Sequence, residues 1–189
     1  MSATYDVLVV CEGNLCRSPL AERLLRLRLA DAPDVHVSSA GTNASVGNPM
    51  DPMAAAELTR LGGDPGDFAA RQLTAELARA ADLVLTATRA QRSLVVGMAP
   101  AALKRTFTLL EMAVLLDERP WADRAEQPDD DRRAVVIRAS DWRSTVSGRG
   151  EALDIPDPIG RSVEVHRTAA EVADLATSVV ADFLRGAAG

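Results

Sequence analysis

Aromatic residues are scarce in this chain. Two Trp, one Tyr and three Phe make up 3% of 189 residues. That is too few for the stacked platforms on which single-stranded nucleic acids are held. Cysteine is scarcer, with two in all. Two thiols cannot build a disulfide framework, and in a reducing compartment they point to chemistry or burial. Positive charge is in deficit: 21 Lys and Arg face 27 Asp and Glu, for a net charge of −6. This balance excludes a general nucleic-acid or anionic-membrane binder, and leaves room for a local basic site that takes one phosphate. The apolar run Val7 to Cys11 is too short for a signal core and has no basic region before it. No stretch approaches the roughly 20 apolar residues of a membrane span. These features predict a soluble, cytoplasmic protein.

What is present is a globular balance, 47% hydrophobic and 25% charged. The length suits one α/β domain over residues 1–189. Strand and helix signals alternate. Tyr5 to Val10 is a short β-branched run of the kind buried in parallel sheets. A tight loop follows, then a helix with Leu20, Leu24 and Leu27 on one face and Ser18 before Pro19 as its start. Strands are predicted at Val35 to Ser39, Asp82 to Ala87 and Arg105 to Leu109. Helices are predicted at Pro52 to Leu61, Thr74 to Ala80, Arg89 to Met98, from about Glu111, and over Ser162 to Leu184. The alternation implies a four-stranded parallel sheet with helices on both faces, in three layers. Residues at about 117–153 break the rhythm. They hold both tryptophans, Trp121 and Trp142, and the acid run Asp129-Asp130-Asp131, and read as an insertion carrying at least one helix.

The chemistry concentrates in Cys11-Glu12-Gly13-Asn14-Leu15-Cys16-Arg17-Ser18. A phosphate ester hydrolase that works without metal needs an ionised nucleophile, donors around three phosphoryl oxygens, and an acid for the leaving group. A cysteine at a strand end, before a loop that enters a helix, meets the first two needs. Loop amides and the helix dipole bind anions there, and the same field favours thiolate. Arg17 lies six residues on and can fold back, offering two parallel hydrogen bonds to phosphoryl oxygens. Gly13 permits positive φ, and Asn14 tolerates it. Ser18 can donate to the Cys11 sulfur.

The string VLVVCEGNLCRSPLAERLL resembles the signature of the low-molecular-weight protein tyrosine phosphatases. SSAGT at Ser38 to Thr42, ADLVLTATRAQR at Ala81 to Arg92 and DIPDPIG at Asp154 to Gly160 are similar to later family segments, in the same order. The resemblance implies a phosphatase acting through a phosphocysteine on Cys11. Arg17 would bind phosphate and stabilise the transition state. Glu12, Gly13, Asn14, Leu15, Cys16, Arg17 and Ser18 would form the phosphate loop. Asn14 and Ser18 would organise it, with Ser39 behind. Asp157 would be the general acid, with Asp154 its rival. Cys16 would trap an oxidised Cys11 as a disulfide, or is simply a small buried filler. No metal or cofactor is implied. The implied substrates are phosphotyrosine proteins or small aryl phosphates.

Two positions depart from the family pattern. Asn43 to Gly47 carries no aromatic residue, and Ile159 stands after Asp157-Pro158, so the usual aromatic walls are missing. Trp121 or Trp142 would compensate if the insertion roofed the pocket; otherwise each anchors the insertion. His36 and His166 read as structural. Two other functions compete. One is arsenate reduction resolved by an external thiol, since no third cysteine exists for an internal cascade. The other is a non-catalytic module that binds phosphate or phosphoprotein.

Overall fold

The computed structural model describes residues 4–120 and 131–186. Trp121 lies outside the described residues. Strand β1 (Tyr5–Cys11) sits between β2 (Val35–Gly41) and β3 (Leu83–Thr86), and β4 (Thr106–Thr108) lies outside β3. The order is β2-β1-β3-β4 and every pair is parallel. Side chains alternate across the sheet, so Val7, Val9 and Cys11 enter one core while Leu8 and Val10 enter another. The first core is filled from α1 (Arg17–Arg28), α2 (Pro52–Arg60), α5 (Leu109–Glu118) and α8 (Val163–Leu184). The second is filled from α3 (Ala75–Ala80), α4 (Arg89–Met98) and a 3₁₀ turn at Pro100–Arg105. Burial on both faces is why β1 reads as a continuous apolar run. No described helix is long and apolar enough to cross a membrane.

Caps set the helix starts. Asp51 accepts from the Met53 and Ala54 amides at α2, and Thr74 caps α3. Thr88 with Gln91 and Thr108 with Glu111 form capping boxes at α4 and α5. The box at Thr108 starts α5 at Leu109, two residues earlier than periodicity suggests. Helix α1 departs further from expectation. Ser18 does not cap it; the N-cap is Cys16, without a side-chain hydrogen bond. Leu27 is 49% exposed, and the buried stripe runs through Leu20, Ala21, Leu24 and Leu25. The helix meets both the sheet and α8, which rotates its apolar face toward Leu25.

The segment expected as an insertion forms α6 (Arg132–Asp141), α7 (Ser144–Ser147) and a 3₁₀ turn at Gly150–Leu153. Asp131, the last of the acid run, caps α6 through the Arg133 amide at 2.9 Å. Arg132 pairs with Asp34, and Arg133 grips Asp82 at 2.8 and 2.9 Å. Those acids precede β2 and β3, so α6 begins at the amino ends of the strands. Farther on, Arg143 donates to the Thr106 carbonyl at 2.8 Å and lies 4.4 Å over the Phe107 ring. Trp142 packs half-buried against the main core. It is not among the residues that line the pocket at the carboxyl ends of the strands.

Burial holds the Arg143 guanidinium below its ordinary pKa, opposed by the buried Glu111 carboxylate 3.4 Å away. Arg143→Ala is expected to lower the unfolding free energy in urea by about 1–3 kcal/mol, through the lost ring contact and carbonyl bond. Arg143→Lys should recover only part of it, because an ammonium lacks the flat fork. Unchanged stability in both variants would mean that the contact does not anchor the segment.

Candidate active site

The strand order reverses direction at β1, and crevices in open α/β sheets lie at such switch points, beyond the carboxyl ends. Cys11 ends β1 there, in register with Gly41 at the end of β2. The loop that follows is tied to the segment after β2 by three backbone bonds. The amides of Thr42, Asn43 and Ser45 donate to the carbonyls of Cys11, Glu12 and Gly13 at 2.9, 3.0 and 3.1 Å. The two segments approach so closely that a Cβ on Gly41 would lie 2.3 Å from the Glu12 carbonyl oxygen. Within the loop, Asn14 takes the left-handed backbone at φ 54°. Gly13 is not the residue that does so. Asparagine is one of the few residues other than glycine that visit this conformation.

That amide is fully buried and organises the site. The Arg71 amide donates to Asn14 Oδ1 at 2.9 Å, which fixes the orientation of the side chain. Asn14 Nδ2 then donates to Ser18 Oγ and to Ser39 Oγ, each at 2.9 Å. Ser39 donates its own hydrogen bond to Glu22, a buried acid on α1 held by Arg26 at 2.8 Å. Ser18, an acceptor from Asn14, also lies in hydrogen-bond contact with Cys11 Sγ, 2.9 Å away, and its hydroxyl proton is available to the sulfur.

Arg17, the first residue of α1, is 7% exposed. Its guanidinium pairs with Asp157 Oδ2 at 2.8 Å and donates to the Ile155 carbonyl at 3.4 Å, while its Nε is buried without a partner among the described residues. Asp157 is half-exposed and faces the same space. Asp154 is engaged elsewhere. Its Oδ1 accepts the Arg89 amide at 2.8 Å, capping the start of α4. The two acids are thereby told apart by geometry.

A pocket of about 420 Å³ opens over this array, lined by Cys11, Glu12, Gly13, Leu15, Cys16, Arg17, Asn43, Ser45, Asp157 and Ile159. Asn14, Ser18 and Ser39 stand behind it. Among the described residues its walls carry no ring; Tyr5, Phe68, Phe107, Trp142 and Phe183 are not among those that line it. Neither histidine reaches it. His36 sits exposed beside Asp6, 3.2 Å away, and His166 is buried behind Cys16 and Pro158. Both cysteines are free. Burial, reinforced by Asp51, Cys11 and Asp157, pushes the Cys16 thiol up to about 12 against the pull of Arg17.

Sequence reasoning missed three supports. Glu22 is an acid on the buried side of α1, and its misplacement on an apolar face was the available signal. Arg71 grips the Ser39 carbonyl through Nε at 2.6 Å. Gln72 clamps the pocket wall, accepting from the Ala44 amide at 2.9 Å and donating to the Thr42 carbonyl at 3.0 Å. Nothing local in the sequence ties Arg71 and Gln72 to a loop so far away.

Two outcomes follow from this geometry. Gly41→Ala must push the loop, so phosphate affinity by calorimetry should fall on the order of tenfold or more; retained affinity would mean that the loop tolerates the shift. Iodoacetamide near pH 7.5 should label Cys11, more slowly with phosphate present, and spare Cys16, whose raised pKa keeps it a thiol. Equal labelling of both in mass spectrometry would contradict that protonation state.

Comparison with known proteins agrees with the geometry. The family described as low molecular weight phosphotyrosine protein phosphatase matches residues 6–121. The protein-tyrosine-phosphatase Etp of Escherichia coli K12 is 38% identical over 129 residues, 68% of this chain and 79% of its own length. The structure of Vibrio vulnificus Wzb in complex with benzylphosphonate superposes with a TM-score of 0.68 at 26% identity, over 96% of this chain and 99% of that one. The YwlE arginine phosphatase from Geobacillus stearothermophilus gives 0.70 at 27% identity, over 96% and 93%. The chain belongs to the low molecular weight protein tyrosine phosphatase family and is a cysteine phosphatase of that kind.

Proposed function

We propose that the chain hydrolyses phosphotyrosine in proteins, and small aryl phosphates, through a covalent intermediate on Cys11. The convergence of Cys11, Arg17 and Asp157 on one pocket carries this reading. A phosphoryl group seated in the loop competes with Asp157 for Arg17, whose fork then spans two phosphoryl oxygens. The loop from Glu12 to Ser18 leads into the start of α1, where amides and dipole favour the anion. The Cys11 thiolate attacks phosphorus in line, and the phosphorus–oxygen ester bond breaks. Asp157, released from Arg17 and protonated, gives its proton to the leaving oxygen. Its carboxylate then takes a proton from water as that water attacks the phosphocysteine. The sulfur leaves as thiolate, and inorganic phosphate is released. Ser18 stabilises the sulfur both as nucleophile and as leaving group. Two free thiols suit a reducing, cytoplasmic setting.

A second reading concerns the phosphorylated residue. The described lining of the pocket has no ring to stack on tyrosine, and the structure superposes on an arginine phosphatase as well as on Wzb. Phosphoarginine peptides belong in the same assay.

Hydrolysis of p-nitrophenyl phosphate against pH, with EDTA present, tests the reaction. The wild type should turn over, Cys11→Ser should be inactive, and Asp157→Asn should lose on the order of 10²-fold in kcat. Full activity in Cys11→Ser, or a wild type inactive on aryl phosphates and phosphopeptides alike, would overturn the reading. The latter result would leave arsenate reduction with an added thiol and phosphate-dependent binding to be tried.

A further inference from the structure

The pocket is oddly charged for a site that takes a dianion. Arg17 is the one cation among the described residues that line it, and its charge is already paired with Asp157. The lining carries a second acid, Glu12, immediately after the nucleophile. Glu12 is exposed, and its carboxylate has no hydrogen-bond or ion-pair partner among the described residues. Its backbone is held by the Asn43 amide at 3.0 Å, so the side chain stays at the rim of the pocket. The opposite wall offers Asn43 and Ser45, polar and uncharged, and Ile159, 48% exposed. The described lining thus presents a fixed negative charge, a short polar wall and a small apolar one.

Building on the phosphatase reading, we infer that Glu12 is a specificity-determining residue that selects substrates with a positive charge beside the phosphoryl group. The free carboxylate repels acidic flanks and attracts a cation while the phosphoryl group sits over Cys11. That cation has two possible sources with one chemistry. It is a basic residue next to phosphotyrosine, or it is the guanidinium of a phosphorylated arginine itself. Both place a positive group within reach of Glu12, and both are salt-sensitive, because the carboxylate is exposed.

Four peptides of equal length separate the cases. Three carry phosphotyrosine flanked by Lys, by Ala or by Glu, and the fourth carries phosphoarginine between Ala residues. Wild-type kcat/KM should rank Lys above Ala above Glu. The Lys-to-Glu ratio should fall about 3–5-fold in Glu12→Gln, the scale of a partly exposed ion pair, and invert in Glu12→Lys. It should also shrink in 0.5 M NaCl. If instead the phosphoarginine peptide alone loses its advantage in Glu12→Gln, the cation read by Glu12 is the leaving group's own. Ratios that are the same in wild type, Glu12→Gln and Glu12→Lys would overturn the inference. Because only ratios are read, a general loss of activity in a variant does not affect the outcome. Calorimetric binding of the same peptides to Cys11→Ser reads the same preferences without turnover. A wild type inactive on p-nitrophenyl phosphate and on all four peptides but selective in that binding would therefore sink the phosphatase reading and keep this one.

Discussion

The buried amide of Asn14 holds a left-handed backbone in a loop that must change direction within a few residues of a strand end. It also spends both of its protons on hydroxyls, one of which lies in hydrogen-bond contact with the Cys11 sulfur. Backbone shape and nucleophile chemistry thus depend on one side chain. A buried polar network of this kind rigidifies a site only if each member is satisfied. Here the Arg71 amide supplies the acceptor's partner, and the Glu22 carboxylate accepts the hydrogen bond that Ser39 donates. The apolar core around β1 keeps water out of that network, so its donors cannot turn away to solvent.

The remaining elements hold the network in place. Strand β2 brings Ser39 beside Asn14 and ends at Gly41, where the absence of a side chain lets two loops share backbone bonds. The segment at Arg71 and Gln72 braces the outer edge of that contact. On the other side, β3 and the start of α4 receive the chain that carries Asp157. The Ile155 amide bonds the Ala87 carbonyl at 2.8 Å, and Asp154 caps α4. These two anchors set Asp157 opposite Arg17, although the residues are far apart in sequence. Segment α6–α7 supports the amino ends of the strands and the edge at β4, so its loss or change would bear on stability before chemistry.

Much of this was legible beforehand. The alternation of apolar strands with amphipathic helices predicted the parallel sheet, because both periods are local. Cys11 and Arg17 predicted an anion loop only together with their context, a buried strand before, a helix start after, and Gly13 and Asn14 between. Other features were not legible. Leu27 looked like core and is exposed, since the rotation of α1 is set by α8 and not by its own period. Gly13 looked like the positive-φ residue, yet Asn14 holds that place because its amide is bonded from three sides. Trp142 was a candidate to roof the pocket and instead packs against the main core, in a segment held by Arg132, Arg133 and Arg143.

The amino-acid order by itself pointed to the strands, to most of the helices and to the candidate residues that the structure gathers at one pocket. Those properties depend on side-chain type and short-range spacing. Only the tertiary structure decided which of two nearby aspartates faces Arg17, which buried acid and which backbone amide complete the Asn14 network, and which of the described residues line the pocket. Each of those is a contact between segments distant in the chain, chosen by how the layers pack.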